Sequence, residues 1–273
     1  MTLLGLDSRT TDTLAVFVDE QGQVLSRTRH PTLDAARASK HEGQSPASIG
    51  IVVHDDSTVA KATVVNPGAA IALAESWVGA ARGARHVVGL TLEASIHAGV
   101  VIDGRLFGGA HGLAGAARWL ALNPVEREDY RKLGGLEAEV GGAGIVRRLV
   151  WRIKSGDQSR VQEMAGGDLN AITTQQIFEG ARTGDGVAIS VVRDTAKYVG
   201  MAVANLVAIL DPEVVVLGGE IASAGDLLLE PTRTEMQRRI PPAASQQIKV
   251  VPASLGEESA AIGAARAAQL AAQ

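Results

Sequence analysis

Cysteine is absent from the 273 residues. That excludes a disulfide framework, a thiolate-held zinc and a cysteine nucleophile. Aromatic residues make up only 3% of the chain, so the core has to be built from Ala, Val, Leu and Ile. Basic charge is not in excess: 26 Lys and Arg against 30 Asp and Glu leave −4, and no basic field points to nucleic acid. No apolar run reaches the roughly 18 residues of a membrane helix. The opening MTLLGLDSRT carries neither a charged leader nor a long apolar stretch. The expectation is a cytoplasmic protein with no membrane or nucleic-acid partner. At roughly 150 residues per domain, the length suggests two domains or one large one. Glycine, by contrast, is plentiful: 31 residues, about 11% against a usual 7% or so. Such an excess calls for tight turns, close helix packing or backbone brought near a ligand.

An internal repeat organises the chain. Leu4-Gly5-Leu6-Asp7 answers Val88-Gly89-Leu90-Thr91, and Ala15-Val16-Phe17-Val18-Asp19 answers Gly99-Val100-Val101-Ile102-Asp103, both 84 positions further on. Each copy reads strand, polar turn, strand, tight turn, strand. The polar turns span 8–12 and 93–97, and the hairpins turn at 19–22 and 103–104. Two short strands, 49–53 and 62–65, follow in the first copy, with 34–48 as a loop or frayed helix. Helical spacing then covers 68–83, 137–153, 173–182 (capped by Thr173) and 185–210, which Pro212 stops. Val214-Val215-Val216-Leu217 is a buried strand ended by Gly218-Gly219. A helix at 225–239, a strand at 248–251 and a helix at 257–271 close the chain. Residues 1–85 and 86–273 therefore form two α/β halves, the first shortened. Turns between the first two strands of each half should face a cleft between them, a favoured ligand site.

Leu210-Asp211-Pro212-Glu213-Val214-Val215-Val216-Leu217-Gly218-Gly219, with Leu255-Gly256-Glu257 and Ala261-Ile262-Gly263-Ala264-Ala265, resembles the ROK family of repressors, open reading frames and sugar kinases. So do the run from Ala98 to Leu106, Gly109-Ala110-His111-Gly112, and Ala72-Leu73-Ala74-Glu75. The resemblance implies an actin-like, duplicated ribonuclease-H-type fold and ATP-dependent phosphorylation of hexoses, or sugar-responsive repression. It also implies self-association, with a homodimer expected.

The family's chemistry does not carry over residue by residue. Its catalytic base, an Asp after an Asn, reads Asn66-Pro67, and proline accepts no proton. The nearest carboxylates in sequence are Asp55, Asp56 and Glu75. The first phosphate loop reads Asp7-Ser8-Arg9-Thr10-Thr11: Asp7 and Thr11 match, but both glycines are replaced. The second reads Glu93-Ala94-Ser95-Ile96-His97 and loses all three glycines. A carboxylate at ~4 Å from a phosphate costs about 1–4 kcal/mol, so Glu93 weakens nucleotide binding ~10-fold or more. The sugar- and zinc-contacting Glu-x-x-His reads Ala116-Ala117-Arg118-Trp119, and the zinc cysteines are absent. Asn66 and Glu137 match sugar contacts; Gly218, Gly219 and Gly256 match the adenosine side.

Each match has a purely structural alternative. Asp7 and Thr11 suit a turn or a Mg²⁺–phosphate site. Gly218 and Gly219 suit a strand-to-helix turn, Asn66-Pro67-Gly68 a helix start, and Glu137 a helix N-terminus. Arg147, Arg148, Arg152, Lys154 and Arg160 read as a solvated helix face, or else as an anion or nucleic-acid patch. His54-Asp55-Asp56 is no metal site, because adjacent strand residues alternate faces; no metal is expected. The reading preferred on these residues is a kinase-like ligand-binding or interaction protein with no catalytic residue and no cofactor. Its ligand would be a small sugar or nucleotide. The alternatives are an ATP- and Mg²⁺-dependent glucokinase-like enzyme with Asp55, Asp56 or another carboxylate as base, or a sugar-responsive regulator. The regulator's helix-turn-helix finds no room before the strand beginning at Leu3.

Overall fold

The computed structural model describes residues 1–54 and 62–273. In chain order the first half contains β1 (Leu3–Ser8), β2 (Thr13–Val18), β3 (Val24–His30), α1 (Leu33–Arg37), β4 (Ser48–Val53), β5 (Thr63–Val65) and α2 (Pro67–Trp77). The second half opens with β6 (Val87–Leu92), β7 (Ile96–Ile102) and β8 (Arg105–Leu106). There follow α3 (Glu128–Leu133), α4 (Gly135–Val140), α5 (Gly142–Lys154), α6 (Arg160–Met164), α7 (Thr174–Arg182) and α8 (Gly186–Leu210). It ends with β9 (Val214–Gly218), α9 (Gly225–Gln237), α10 (Pro242–Ser245), β10 (Lys249–Pro252) and α11 (Ser259–Ala271).

The strands form two five-stranded sheets, ordered β3-β2-β1-β4-β5 and β10-β9-β6-β7-β8. Read from the other edge, the second is the first over again. In each, three antiparallel strands are followed by two parallel ones. The 84-residue repeat is therefore a repeat of topology.

The terminal helix of each half lies on the sheet of the other. α2 follows β5 but packs on β6 and β7, while α11 follows β10 but packs on β1 and β4. Glycine makes this close stacking possible. Gly5 and Gly50 are register partners on β1 and β4. A Cβ on Gly5 would stand 1.7 Å from the Ala261 carbonyl oxygen, and one on Gly50 1.8 Å from that of Ala264. Gly89 and Gly99 form the matching pair under α2. Where α2 and α11 cross, a Cβ on Gly263 would lie 1.8 Å from the Ala70 carbonyl oxygen. Buried Glu75 completes the crossing: its carboxylate accepts from the N–H groups of Ala80 (2.7 Å), Ser254 (2.9 Å) and Leu255 (3.1 Å) and from the Ser254 hydroxyl (2.8 Å).

The outer face of the second sheet carries the larger core, built with α4, α5, α7, α8 and α9 around Leu90, Leu136, Ile145, Leu149, Val203 and Val215. That of the first carries α1 over Leu6, Phe17 and Ile51. Thr173 caps α7 in a full capping box with Gln176. α8 ends at Asp211, in the left-handed region with φ 45°, just ahead of Pro212. Among the described residues no helix is long and apolar enough to cross a membrane.

Two expectations need correction. The helix expected over 137–153 breaks at Gly141, which is extended (φ −65°, ψ 155°). Two successive glycines make continuation unfavourable, and a Cβ on Gly141 would stand 2.8 Å from the Glu137 carbonyl oxygen and 3.0 Å from that of Ala94. The basic set on α5 is only in part a solvated face. Arg148 is largely buried, 3.9 Å from Glu139, with Nη2 donating to the Thr195 hydroxyl; burial pulls its pKa down although Glu139 opposes this. Arg147 pairs with Asp129 at 2.6 Å, and Arg152 with Asp157. Arg147, Lys154 and Arg160 of that set are exposed, and Arg148 and Arg152 are not.

Candidate functional site

A cleft of about 1150 Å³ opens where both sheets present the ends of their strands. Its walls come from the β1–β2 turn (Arg9, Thr10), the end of β4 (His54), the start of α2 (Pro67, Ile71) and the β6–β7 turn (Glu93, Ala94, Ser95). The end of β9 (Leu217, Gly218, Gly219) and the segment entering α11 (Gly256, Glu257, Ser259) complete it. Both turns expected to face a cleft do so.

Asp7 is fully buried at the end of β1. Its Oδ2 accepts from Arg9 Nε at 2.8 Å, and its Oδ1 lies 2.7 Å from His54 Nε2. Burial opposes ionisation, but the His54 hydrogen bond and the Arg9 charge outweigh it and hold the carboxyl below the ordinary Asp range. His54 in turn spans the two halves: its Nδ1 lies 3.6 Å from Glu93 Oε2, an ion-pair distance beyond hydrogen-bond range. The bond to Asp7, then the facing Glu93, raise the His54 pKa to about 9. At neutral pH the imidazole is a cation between two carboxylates. Arg9, Asp7, His54 and Glu93 thus form one alternating chain of charge across the cleft.

The remaining sequence candidates are distributed as follows. Thr11 is exposed at the tip of its turn and does not line the cleft. Asn66 Oδ1 caps α2, accepting from the Ala69 N–H at 2.8 Å, with Pro67 buried at the first helical position. Glu137 is buried; its Oε2 accepts from the Ile96 N–H at 3.0 Å and its Oε1 from Arg118 Nη2 at 3.2 Å. Gly218, Gly219 and Gly256 all line the cleft, and the last two are left-handed, with φ 91° and 60°. Glu75 has its oxygens engaged at the α2–α11 crossing and is not in the cleft wall. Asp55 and Asp56 lie outside the described residues. No group of three side chains able to hold a metal occurs among the described residues.

Sequence reasoning missed the roles of Arg9 and His54. The available signal was weak: a histidine at the end of a strand parallel to the one carrying Asp7. The pairing of β1 with β4, Ser8 against Val53, brings them together.

A model of the ROK family matches residues 56–271. The chain is 29% identical over 226 residues to a glucokinase of Halalkalibacterium halodurans, covering 82% of this chain and 65% of that protein. It is 32% identical over 206 residues to a glucokinase of Thermotoga maritima, covering 75% and 65%. The matches thus span just under two thirds of the length of these curated relatives. A solved ROK glucokinase from Streptomyces griseus, in complex with glucose and AMPPNP, superposes with a TM-score of 0.79 at 26% identity, covering 99% of this chain and 100% of that one. With the repeated sheet topology, the exchanged helices and the cleft between the halves, these likenesses establish that the chain belongs to the ROK family and has its actin-like sugar-kinase fold.

Proposed function

We propose that this chain is a ligand-binding member of the ROK family that does not phosphorylate sugars. The observation that carries the reading is the charge chain Arg9–Asp7–His54–Glu93, which fills the part of the cleft where the family's two phosphate loops would meet. Both oxygens of Asp7 are engaged by cationic side chains, which compete with Mg²⁺ for the carboxylate and repel it. Glu93 brings a negative charge where phosphate charge would have to lie. ATP with Mg²⁺ therefore does not fit the residues present. Pro67 stands where the family's proton acceptor stands, and His54, protonated at neutral pH, cannot take over that role. The intact cleft, and its counterpart in a relative that holds glucose and an ATP analogue, favour a small nucleotide- or sugar-derived ligand.

A second reading, an ATP-dependent hexose kinase, draws on the likeness to two glucokinases. It needs a carboxylate base, and Asp55 and Asp56 are its candidates. A coupled ATP-consumption assay with Mg²⁺, run across hexoses and N-acyl hexosamines, separates the two. Background rates are expected. Turnover above roughly 1 s⁻¹, an ordinary kinase rate, would overturn the first reading in favour of the second.

A further inference from the structure

A second depression, of about 270 Å³, lies at the far ends of the two crossed helices from the cleft. α2 lines the cleft at Pro67 and Ile71 and this depression at Leu73, Ser76 and Trp77. α11 lines the cleft at Ser259 and this depression at Arg266. The loop from α2 to β6, with Arg82, and Gly104 of the β7–β8 hairpin close it. The wall holds two arginines and no carboxylate. Many arginines of the chain face a carboxylate, as Arg9 faces Asp7, Arg127 faces Glu139 and Arg182 faces Asp226. Arg82 and Arg266 form no ion pair among the described residues. The carboxylates next in sequence to the wall are engaged elsewhere: Glu75 at the helix crossing, and Asp103 by Arg85 at 2.8 Å.

Arg266 is held in place by its surroundings. Its guanidinium stacks on the Trp77 ring, 5.0 Å from the centroid. Gly22 of the β2–β3 hairpin, left-handed at φ 86°, lies against that ring: a Cβ there would stand 3.0 Å from Trp77 Cδ2 and Cε2. Nη1 of Arg266 donates to Gln269 Oε1, and Gln269 Nε2 donates to the Glu20 carbonyl oxygen at 3.3 Å. Nε and Nη2 of Arg266 have no acceptor among the described residues. Burial pulls its pKa down, and no neighbouring carboxylate opposes this. The N–H groups of Gly83, Ala84 and Gly104 are bonded within their turns, so the two guanidinium groups are the free donors here. Two cations in one depression repel until an anion answers them. A guanidinium fork matches phosphate oxygens bidentately, and a phosphate carries about two negative charges near neutral pH, enough to balance both arginines. The volume is below the roughly 300–1,000 Å³ of ordinary small-molecule sites, which suits the ion or a short ester of it and excludes a nucleotide.

We propose that this depression binds phosphate, as the free ion or as a small phosphate monoester, held between Arg266 and Arg82. The site joins the two helices that tie the halves together, and it is independent of what the cleft holds.

Isothermal titration of the full chain at constant ionic strength tests this. Inorganic phosphate and glycerol 3-phosphate are the probes, and the tighter of the two separates the free ion from a monoester. One-to-one binding with a Kd below about 10 mM is expected for at least one of them. Malonate, a dicarboxylate of similar charge, should bind at least ~10-fold more weakly. Arg82 is exposed and unpaired, so Arg82→Gln spares the fold and should weaken binding ~10-fold. Arg266→Gln, checked for an unchanged thermal transition, should abolish binding, and Arg266→Lys, which keeps the charge without the fork, should restore only part of it. A Kd above about 10 mM for both probes with no thermal shift, binding untouched by both Arg82→Gln and Arg266→Gln, or malonate binding as tightly as phosphate would each overturn the proposal.

Discussion

Nε2 of His54 lies 2.7 Å from Oδ1 of the fully buried Asp7, and that contact makes the fold sensitive to pH. The bond to Asp7 and the facing Glu93 raise the histidine from its ordinary 6.5 to about 9. A group raised on folding contributes stability that is complete below its unfolded pKa and is lost as pH climbs through the folded one. Stability should therefore fall between about pH 6.5 and 9. The full linkage would be about 3 kcal/mol, and partial exposure of the imidazole cuts it to about 1–2 kcal/mol. Urea unfolding across this range checks it: His54→Gln should flatten the slope, and an unchanged slope would count against the pairing.

Glu75 collects backbone and hydroxyl donors where α2 meets the loop leading to α11. Glu75→Ala leaves several buried donors without a partner and should cost about 3 kcal/mol or more. Glu75→Gln keeps part of the accepting capacity and should cost clearly less. Denaturant midpoints at constant m-value report the difference.

The glycines under the crossed helices should tolerate nothing larger. Gly263→Ala places a methyl 1.8 Å from the Ala70 carbonyl oxygen, against backbone that cannot yield cheaply. A loss of about 3 kcal/mol or more, or no folded protein, is expected. Gly186→Ala, at the start of α8 with nothing within 4 Å of the added carbon, is the control. It should be neutral or stabilising by up to about 1 kcal/mol.

The segment around α3 is held by ion pairs, and it contains no cysteine. Arg127 Nη1 lies 2.9 Å from buried Glu139, the Tyr130 hydroxyl donates to the same oxygen, and Arg147 pairs with Asp129. Removing metal with a chelator should leave the melting temperature unchanged. Glu139→Ala removes the carboxylate facing the largely buried Arg148 and one of the two carboxylates held by Arg127, which keeps Asp129, and should lower stability by about 3 kcal/mol. A melting temperature that falls on chelation would contradict this account.

Much of the architecture was legible in the residues. The 84-residue echo between Gly5 and Gly89, alternating turns and apolar runs, and stop signals such as Pro212 are local patterns, and local patterns mark strands and helices well. The family motifs identified the fold, and the substitutions at Pro67, Arg9 and Glu93 already separated this chain from the kinase pattern. The breaks were harder to see. The helical periodicity of 137–153 runs straight across Gly141, and nothing in the sequence says that the Ala94 carbonyl lies beside it.

The glycine excess divides the two levels cleanly. From the residues alone, glycine marks turns and its absence from 8–11 and 93–97 marks a departure from the family pattern there, because those are properties of a few consecutive positions. That Gly5, Gly50, Gly89, Gly99 and Gly263 serve instead to let two helices press into sheets and into each other depends on which backbone lies opposite. The same holds for His54. Its partners are 47 positions away on β1 and 39 positions away on the β6–β7 turn. An ion pair depends on distance in space, so it took the pairing of β1 with β4 and the approach of the second sheet to turn a histidine dismissed as a metal ligand into the centre of the cleft.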